Sequence, residues 1–512
     1  MKEVRDLYLL GVDIGTQGTK AVLVDIKGTV IAEASSEYDV MTPKPNWAEQ
    51  WPDIWLKASY RVIREIVEKS KVEKKEIIAV AFSGLYGGSG IPVDKEIKPL
   101  RPCLIWMDRR AVEETEWVKK NIDKTTLFKI TGNYVDSYYG FTKMLWIKNH
   151  EPEIWKRIYK FITPKDYVIY HMTNEIAIDY SSAGNIGGIF DLNKLNWSKE
   201  LCAELGIPLE YLPERIVKSS EIVGRIKKAA SENCGLLEGT PVIAGGIDAP
   251  VAQLSAGSLY EGEHVAMVGT SMCWGTVNGK DKPVFGLVNF PYVVKDTEKI
   301  YTFGGAATAG ALAKWYNNQF GSIETIAGKR LGKSPYQILD EEVRDIEPGS
   351  KGLIVLPYFM GERSPIWDPY AKGIIFGLSL YHKREHIYKA LMEGVAYSLR
   401  HNMEEGQNAG LKLNDECLIV GGVSKSTVWV SIFADVTGYK MKKISSNVEA
   451  PYGDAFLAGL GVGAIENEEK IKEWVKFTEP ILPNLDNKKI YDKYYEIYKK
   501  LYDRNMEMFK MV

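Results

Sequence analysis

The sequence predicts an α/β chain of two similarly built halves, and three observations lead there. The chain has 512 residues, too long for one ordinary hydrophobic core, so two or three domains are expected. Strand-patterned apolar runs alternate with amphipathic helical stretches along most of its length. A strand–turn–strand device near the start, around Asp13 to Lys20, recurs after the midpoint around Gly269-Thr270-Ser271. No identity between the halves amounts to a sequence repeat, but the recurring device places a boundary near residue 250, giving domains of 1–250 and 251–512.

Each element has its own signal. Leu7–Asp13 is an apolar run, Gly15–Gly18 a turn, Lys20–Asp25 an alternating strand, Lys27–Gly28 a second turn and Thr29–Ala34 a third strand. Pro52–Lys69 carries Trp55, Val62, Ile63 and Ile66 on one helical face. Ile77–Phe82, Cys103–Met107 and Val242–Ala244 read as buried strands. His264–Val268 and Met272–Val277 flank the second turn. The tail Asn487–Lys510 sets Tyr491, Tyr494, Tyr498 and Leu501 at helical spacing, the pattern of a packed C-terminal helix.

Composition excludes several classes. With 65 basic and 67 acidic residues the net charge is −2, so no global field draws the chain to nucleic acid or an anionic membrane. Five scattered cysteines without a C-x-x-C pair argue against a disulfide framework and a thiolate zinc site. Leu7–Val12 is too short for a signal core or a membrane span, and a cytoplasmic protein is expected.

The chemistry begins at Asp13-Ile14-Gly15-Thr16-Gln17-Gly18-Thr19-Lys20. Two glycines three apart are a weak signal alone. A Rossmann or Walker loop runs from strand into helix, whereas this one runs from strand into strand. Such a hairpin can hold phosphate through backbone N–H groups at Gly15 and Gly18 arranged as an anion nest, with hydroxyls at Thr16 and Thr19 and charge at Lys20. Asp13 would repel phosphates, which a Mg²⁺ ion beside it resolves; the same residue alone also reads as a turn-starting aspartate. Gly269-Thr270-Ser271 supplies a second loop, and two such hairpins, one per domain, suit a clamp on a nucleotide.

Gly304-Gly305-Ala306 leads to Gly310 and a helix with Lys314 and Trp315, and Gly421-Gly422 precedes the helix Ser426–Gly438. Small residues at strand-to-helix joints let a flat ring lie on backbone, although either pair alone reads as a glycine-closed turn. Asp248, after Gly245-Gly246 at a strand end, suits a general base that takes a proton from a hydroxyl acceptor; a strand-end cap is an equal reading. Trp106-Met107-Asp108-Arg109-Arg110 and the loop Ser83–Gly90 combine ring faces with polar groups, as a sugar site requires.

These residues resemble the FGGY family of carbohydrate kinases from about Leu7 to Gly463. The matching stretches are Gly11–Thr16, Trp47–Gln50, Thr142–Trp146, Gly245–Asp248, Gly361–Pro365, Gly421–Ser426 and Ala434–Gly438. The resemblance implies two actin-like, ribonuclease H-like ATPase domains with ATP and Mg²⁺ in the interdomain cleft. It implies Asp248 as catalytic base and Asp13 as the metal-side aspartate. Thr16, Gln17, Gly18 and Lys20 match the first phosphate loop, and Gly269, Thr270 and Ser271 the second. Gly310, Lys314, Gly422 and Ser426 fall at nucleotide contacts, and Trp106, Asp108 and Tyr86, with Asp248, on the acceptor side.

Within the family the chain is most similar to xylulokinases at Gly361–Pro369 and Gly421–Gly438. It departs where they carry Gln-Met-His-Gly: here the sequence reads Leu85-Tyr86-Gly87-Gly88. Ile105–Asp108 and Gly269–Cys273 resemble ribulokinases, and the Arg-Glu pair of glycerol kinases is absent. The expected acceptor is a pentulose such as D-xylulose, with ribulose, gluconate, glycerol or a cyclic polyol as alternatives. An actin- or chaperone-like ATPase using water, and a sugar-sensing pseudokinase, are the readings from other classes. A homodimer stays open as the assembly.

Overall fold

The computed structural model describes residues 7–445 and 449–512. Contacts divide it into two units. The first comprises 1–259, 277–302 and 447–475; the second comprises 260–276, 303–446 and 476–512.

In the first unit a six-stranded sheet has the order β5-β6-β4-β1-β2-β3, where β1 is Tyr8–Ile14, β2 Gly18–Asp25, β3 Val30–Glu37, β4 Ile77–Gly84, β5 Ile222–Arg225 and β6 Pro241–Ile243. The strands β1, β2 and β3 form an antiparallel meander, while β4 runs parallel to β1 and β6 parallel to β4. Central β1 is covered on both faces: Leu9, Leu10, Val12 and Ile14 are fully buried, which is why it reads as a continuous apolar run. One face packs on the helix Pro52–Ser70, with Trp55, Val62, Ile63 and Ile66 inward and proline in its first turn. The other receives the helix Ala450–Gly461 so closely that a Cβ on Gly11 would overlap the Pro451 carbonyl oxygen.

The second six-stranded sheet repeats the plan with β7 His264–Val268, β8 Met272–Gly279, β9 Lys299–Ala306, β10 Glu416–Val420 and β11 Lys440–Lys443, in the order β9-β8-β7-β10-β11, with the strand Val288–Pro291 at the edge beside β9. Again a hairpin, β7–β8, leads the sheet, and β10 and β11 follow in parallel. Five strands of each sheet share one order without a shared sequence, because burial constrains polarity at each position more than identity; the sixth lies at opposite edges.

Two expectations change. The run Cys103–Met107 is a strand only at Cys103–Leu104; it then turns, with Asp108 N–H bonded to the Ile105 carbonyl, and this turn presents Trp106. In the C-terminal helix Leu485–Phe509, the buried stripe is Tyr491, Tyr495, Tyr498 and Leu501. Tyr494 is only half-buried, one position off the face that continues from Tyr491 by four residues.

Candidate active site

The β1–β2 hairpin closes with Gly15 N–H donating to the Gly18 carbonyl at 2.9 Å. That bond uses the Gly15 N–H, and neither Gly15 nor Gly18 has a positive φ, so the expected anion nest at this pair is replaced by an ordinary turn with Thr16 and Gln17 at its tip. The turn is braced from three sides. Tyr38 Oη donates to the Gly15 carbonyl at 2.7 Å and meets Thr19 Oγ1 at 3.1 Å. Gln50 Nε2 donates to the Thr16 carbonyl at 3.0 Å. Trp106 Nε1 donates to Thr16 Oγ1, also at 3.0 Å, tying the expected acceptor loop to the expected phosphate loop. Thr19 is fully buried and its hydroxyl is therefore structural, while Gln17 is exposed. Lys20 pairs with Glu449 rather than standing free.

Asp13 lies opposite Ser83 in the β1–β4 register, and Ser83 Oγ reaches Asp13 Oδ1 at 3.1 Å. The same oxygen lies 2.5 Å from Asp454 Oδ2. A hydroxyl has one proton and cannot donate to two carboxylates. Asp454 is fully buried and its Oδ1 has no partner; burial pushes its carboxyl well above the ordinary range. It is thus the neutral acid that donates to Ser83, freeing Ser83 to donate to Asp13. Burial raises Asp13 to about 6, against the opposing pull of Ser83 and Lys20.

Asp248 lies where the strand gives way to a helix, directly after Ile247, which still bridges Gly84. After β6 the chain turns at Gly245, whose φ of +64° and contact with the Phe82 carbonyl exclude any Cβ. Gly84 N–H then bonds the Gly246 carbonyl at 3.1 Å, and Ile247 caps the helix Asp248–Ser255. Asp248 is therefore the first residue of a helix. Burial, and next the Asp13 charge, push its carboxyl up to about 7. Two carboxyls of unequal affinity for a proton, held near each other, are suited to separate roles.

Of the expected acceptor residues, Tyr86 is buried and packs against Tyr138 with ring centroids 5.0 Å apart. Asp108 is fully buried and offers no open lone pair to a ligand: Arg110 Nε bridges both of its oxygens at 3.0 and 2.9 Å, Arg110 Nη2 adds 2.7 Å and Ala48 N–H another 2.7 Å. Its neighbour Arg109 faces Asp136 instead, at 2.8 Å.

In the second unit Gly269 and Thr270 are exposed at the β7–β8 turn, with Ser271 half-buried. The helix Gly310–Phe320 docks beneath: Gly310 N–H donates to the Gly269 carbonyl and Ala309 N–H to the Thr270 carbonyl, each at 2.9 Å. A Cβ on Gly310 would lie 2.6 Å from that Gly269 oxygen, which explains the glycine. Lys314 is exposed on the same helix, Gly422 is exposed above open space, and Ser426 caps the helix Thr427–Thr437 by accepting from Trp429 N–H at 3.0 Å. Asp454, Tyr38 and Glu449 had no part in the site as read from sequence, and Ser83, which opens the expected acceptor loop, instead bonds Asp13. Asp454 left one signal there: it is the only charged residue in the apolar helix Ala450–Gly461.

Profiles of the FGGY family of carbohydrate kinases match both halves, the N-terminal domain over residues 8–255 and the C-terminal domain over 264–462. The chain belongs to the FGGY family of carbohydrate kinases. This FGGY kinase is 30% identical to a xylulose kinase of Bacillus subtilis across 98% of each chain. It is also 30% identical to a gluconokinase of the same organism, across 94% of this chain and 93% of the relative. Among solved structures, a xylulose kinase from Rhodospirillum rubrum aligns with a TM-score of 0.85 at 26% identity, covering 98% of this chain and 100% of that one. A ligand-bound xylulose kinase from Lactobacillus acidophilus shares the fold with a TM-score of 0.89 at 24% identity, covering 98% of this chain and 99% of that one. The FGGY kinase therefore has the two-domain actin-like, ribonuclease H-like fold. No helix among the described residues is long and apolar enough to cross a membrane.

Proposed function

We propose that this kinase transfers the γ-phosphoryl group of ATP to a hydroxyl of a neutral sugar, a pentulose such as D-xylulose, with Asp248 as general base. The observation that carries the reading is the carboxyl of Asp248 pushed up to about 7 beside Asp13. A base of that affinity accepts a hydroxyl proton near neutrality without being protonated outright. As the acceptor oxygen bonds to phosphorus, its proton passes to Asp248 and the bond from phosphorus to the β-γ bridging oxygen breaks, releasing ADP. The first unit carries the acceptor groups and the base, and the second carries Gly269–Ser271, Gly310, Lys314, Gly422 and Ser426 for the nucleotide.

Asp13 fits a Mg²⁺ ion: it is a hard oxygen donor whose ionised form burial disfavours, and such ions take one or two carboxylates alongside phosphate oxygens. Bound there, the ion would neutralise phosphate charge. Ser83 fixes the rotamer of Asp13, while Thr16 keeps its hydroxyl proton available because it accepts from Trp106.

A neutral acceptor is supported by charge pairing. Arg109 is balanced by Asp136, and buried Lys143 donates to the Ser137 and Tyr138 carbonyls; its own affinity for a proton is lowered by burial to about 7. That leaves the rings of Tyr86 and Tyr138 rather than an uncompensated cation, which suits a polyol better than an acid such as gluconate. Position 87, where xylulokinases carry histidine, has no room for a side chain, because a Cβ would overlap the Pro164 ring. The carbonyl end of either ketose, xylulose or ribulose, must then meet another group; ribulose is the second reading because Ile105–Asp108 and Gly269–Cys273 resemble ribulokinases.

The test is ADP release with ATP and Mg²⁺ against D-xylulose, D- and L-ribulose, gluconate, glycerol, erythritol and inositol. Strong stimulation by one pentulose supports the proposal. Gluconate as best acceptor overturns the charge argument, and sugar-independent release overturns the kinase role of Asp248.

A further inference from the structure

The stretch Gly361–Pro365 carries no assigned role, yet three of its side chains grip the backbone that would hold the nucleotide. Glu362 Oε1 accepts from Ala307 N–H at 2.8 Å, and Ser364 Oγ accepts from Gly305 N–H at 2.7 Å while donating to Asn402 Oδ1 at 2.8 Å. Between them, Arg363 Nη2 donates to the Met272 carbonyl at 2.8 Å and to the Ala306 carbonyl at 3.0 Å. Met272 directly follows the β7–β8 turn, and Ala306 ends β9 ahead of the Gly310 helix. One guanidinium thus spans the phosphate hairpin and the strand-to-helix joint. Gly305 is open for that purpose, since a Cβ there would lie 2.7 Å from Nη2.

We propose that Arg363 is a positioning residue for the nucleotide: by joining the Met272 and Ala306 carbonyls it sets the spacing between the Gly269–Ser271 hairpin and the Gly304–Gly310 joint. This rests on the reading that both segments face ATP. The two protons of the planar Nη2 group point in fixed directions, so one nitrogen bonding both carbonyls holds their separation, whereas a rotatable ammonium on a flexible stem keeps the charge but not the geometry. Hydrogen bonds from charged groups are strong enough that losing both should weaken nucleotide affinity by about 10- to 100-fold.

The experiment measures AMP-PNP affinity by calorimetry on the full chain without acceptor, then KM for ATP and for the acceptor separately. Arg363→Met should raise the AMP-PNP Kd and the ATP KM by about tenfold or more, leave the acceptor KM within about twofold, and keep a wild-type circular dichroism spectrum. Arg363→Lys should fall between, and it decides the question if Arg363→Met does not fold. An AMP-PNP Kd unchanged in the folded variants, or ATP and acceptor KM rising together, overturns the proposal. Wild-type protein that binds AMP-PNP but phosphorylates no sugar refutes the acceptor reading and leaves this one standing; wild-type protein that binds no AMP-PNP refutes this one.

Discussion

Replacing Asp248 by asparagine should sharply slow transfer and stabilise the ligand-free protein, with the gain confined to one side of a pH window. The folded carboxyl lies at about 7, above its ordinary 3.8, through burial and then the Asp13 charge. A carboxyl whose folded value is raised holds its proton more tightly when folded. Its contribution to stability is therefore fully present below about 3.8, is lost as pH rises through the window, and stays lost above about 7. The interval is about 3 units, and at about 1.36 kcal/mol per unit the ionised group costs up to about 4 kcal/mol at pH 8. Asparagine, neutral at all pH, escapes that cost. Urea unfolding midpoints should thus coincide for both proteins near pH 4 and separate progressively toward pH 8, with the variant more stable. In ADP-release assays the variant should lose about 10²- to 10⁴-fold in turnover, the usual contribution of a positioned base, while AMP-PNP still binds. Equal stabilities at pH 8, or near-normal turnover, would refute both the raised affinity and the base assignment.

Four further outcomes follow from the same geometry. Gly18→Val should raise the ATP KM, because a Cβ already lies 3.1 Å from the Ser36 carbonyl oxygen and the added branches must displace the hairpin; an unchanged KM counts against its role in phosphate binding. Ser83→Ala removes the donor to Asp13 and leaves the buried Asp454 acid without its acceptor, for a loss of about 1–3 kcal/mol in urea unfolding and a higher Mg²⁺ requirement. Asp454→Asn, whose neutral amide can donate to Ser83, should by contrast remain as stable as wild type at pH 7, and a loss matching Ser83→Ala would show that Asp454 is ionised. Gly11→Ala should cost about 1–3 kcal/mol or more by overpacking, since its Cβ meets the Pro451 carbonyl oxygen; a variant with an unchanged melting temperature would mean that the helix yields freely.

Local chemistry made much of the fold legible. The hairpin at Gly15–Gly18, the strand before Gly245 and the turn at Gly269–Ser271 are each announced by glycine between apolar runs, because turn geometry and burial act within a few residues. The helix Pro52–Ser70 matched its periodicity to within one residue. What the same patterns did not reveal is which atoms are already satisfied. Asp108 looks in sequence like a sugar ligand, yet Arg110 and Ala48 occupy its oxygens. Gly15 looks like an anion donor, yet its N–H closes the turn. Hydrogen-bond pairing in a folded interior is decided by neighbours distant along the chain, and no spacing rule records them.

By itself the sequence determined the class of the molecule: two α/β halves, each opening on a glycine hairpin, with aspartates near strand ends and an acceptor segment that joins ring faces to polar groups. Those are properties of residue type and short-range order. Only the tertiary structure decided how the aspartates differ. Asp454, 441 positions after Asp13, reaches the first sheet because the helix Ala450–Gly461 packs where Gly11 leaves room for it. There it shares Ser83 with Asp13, while Asp248 is turned onto a helix start by Gly245. An aspartate has nearly the same affinity for a proton in any extended chain. Burial and neighbouring charge pull these three apart, and both exist only once the chain has folded.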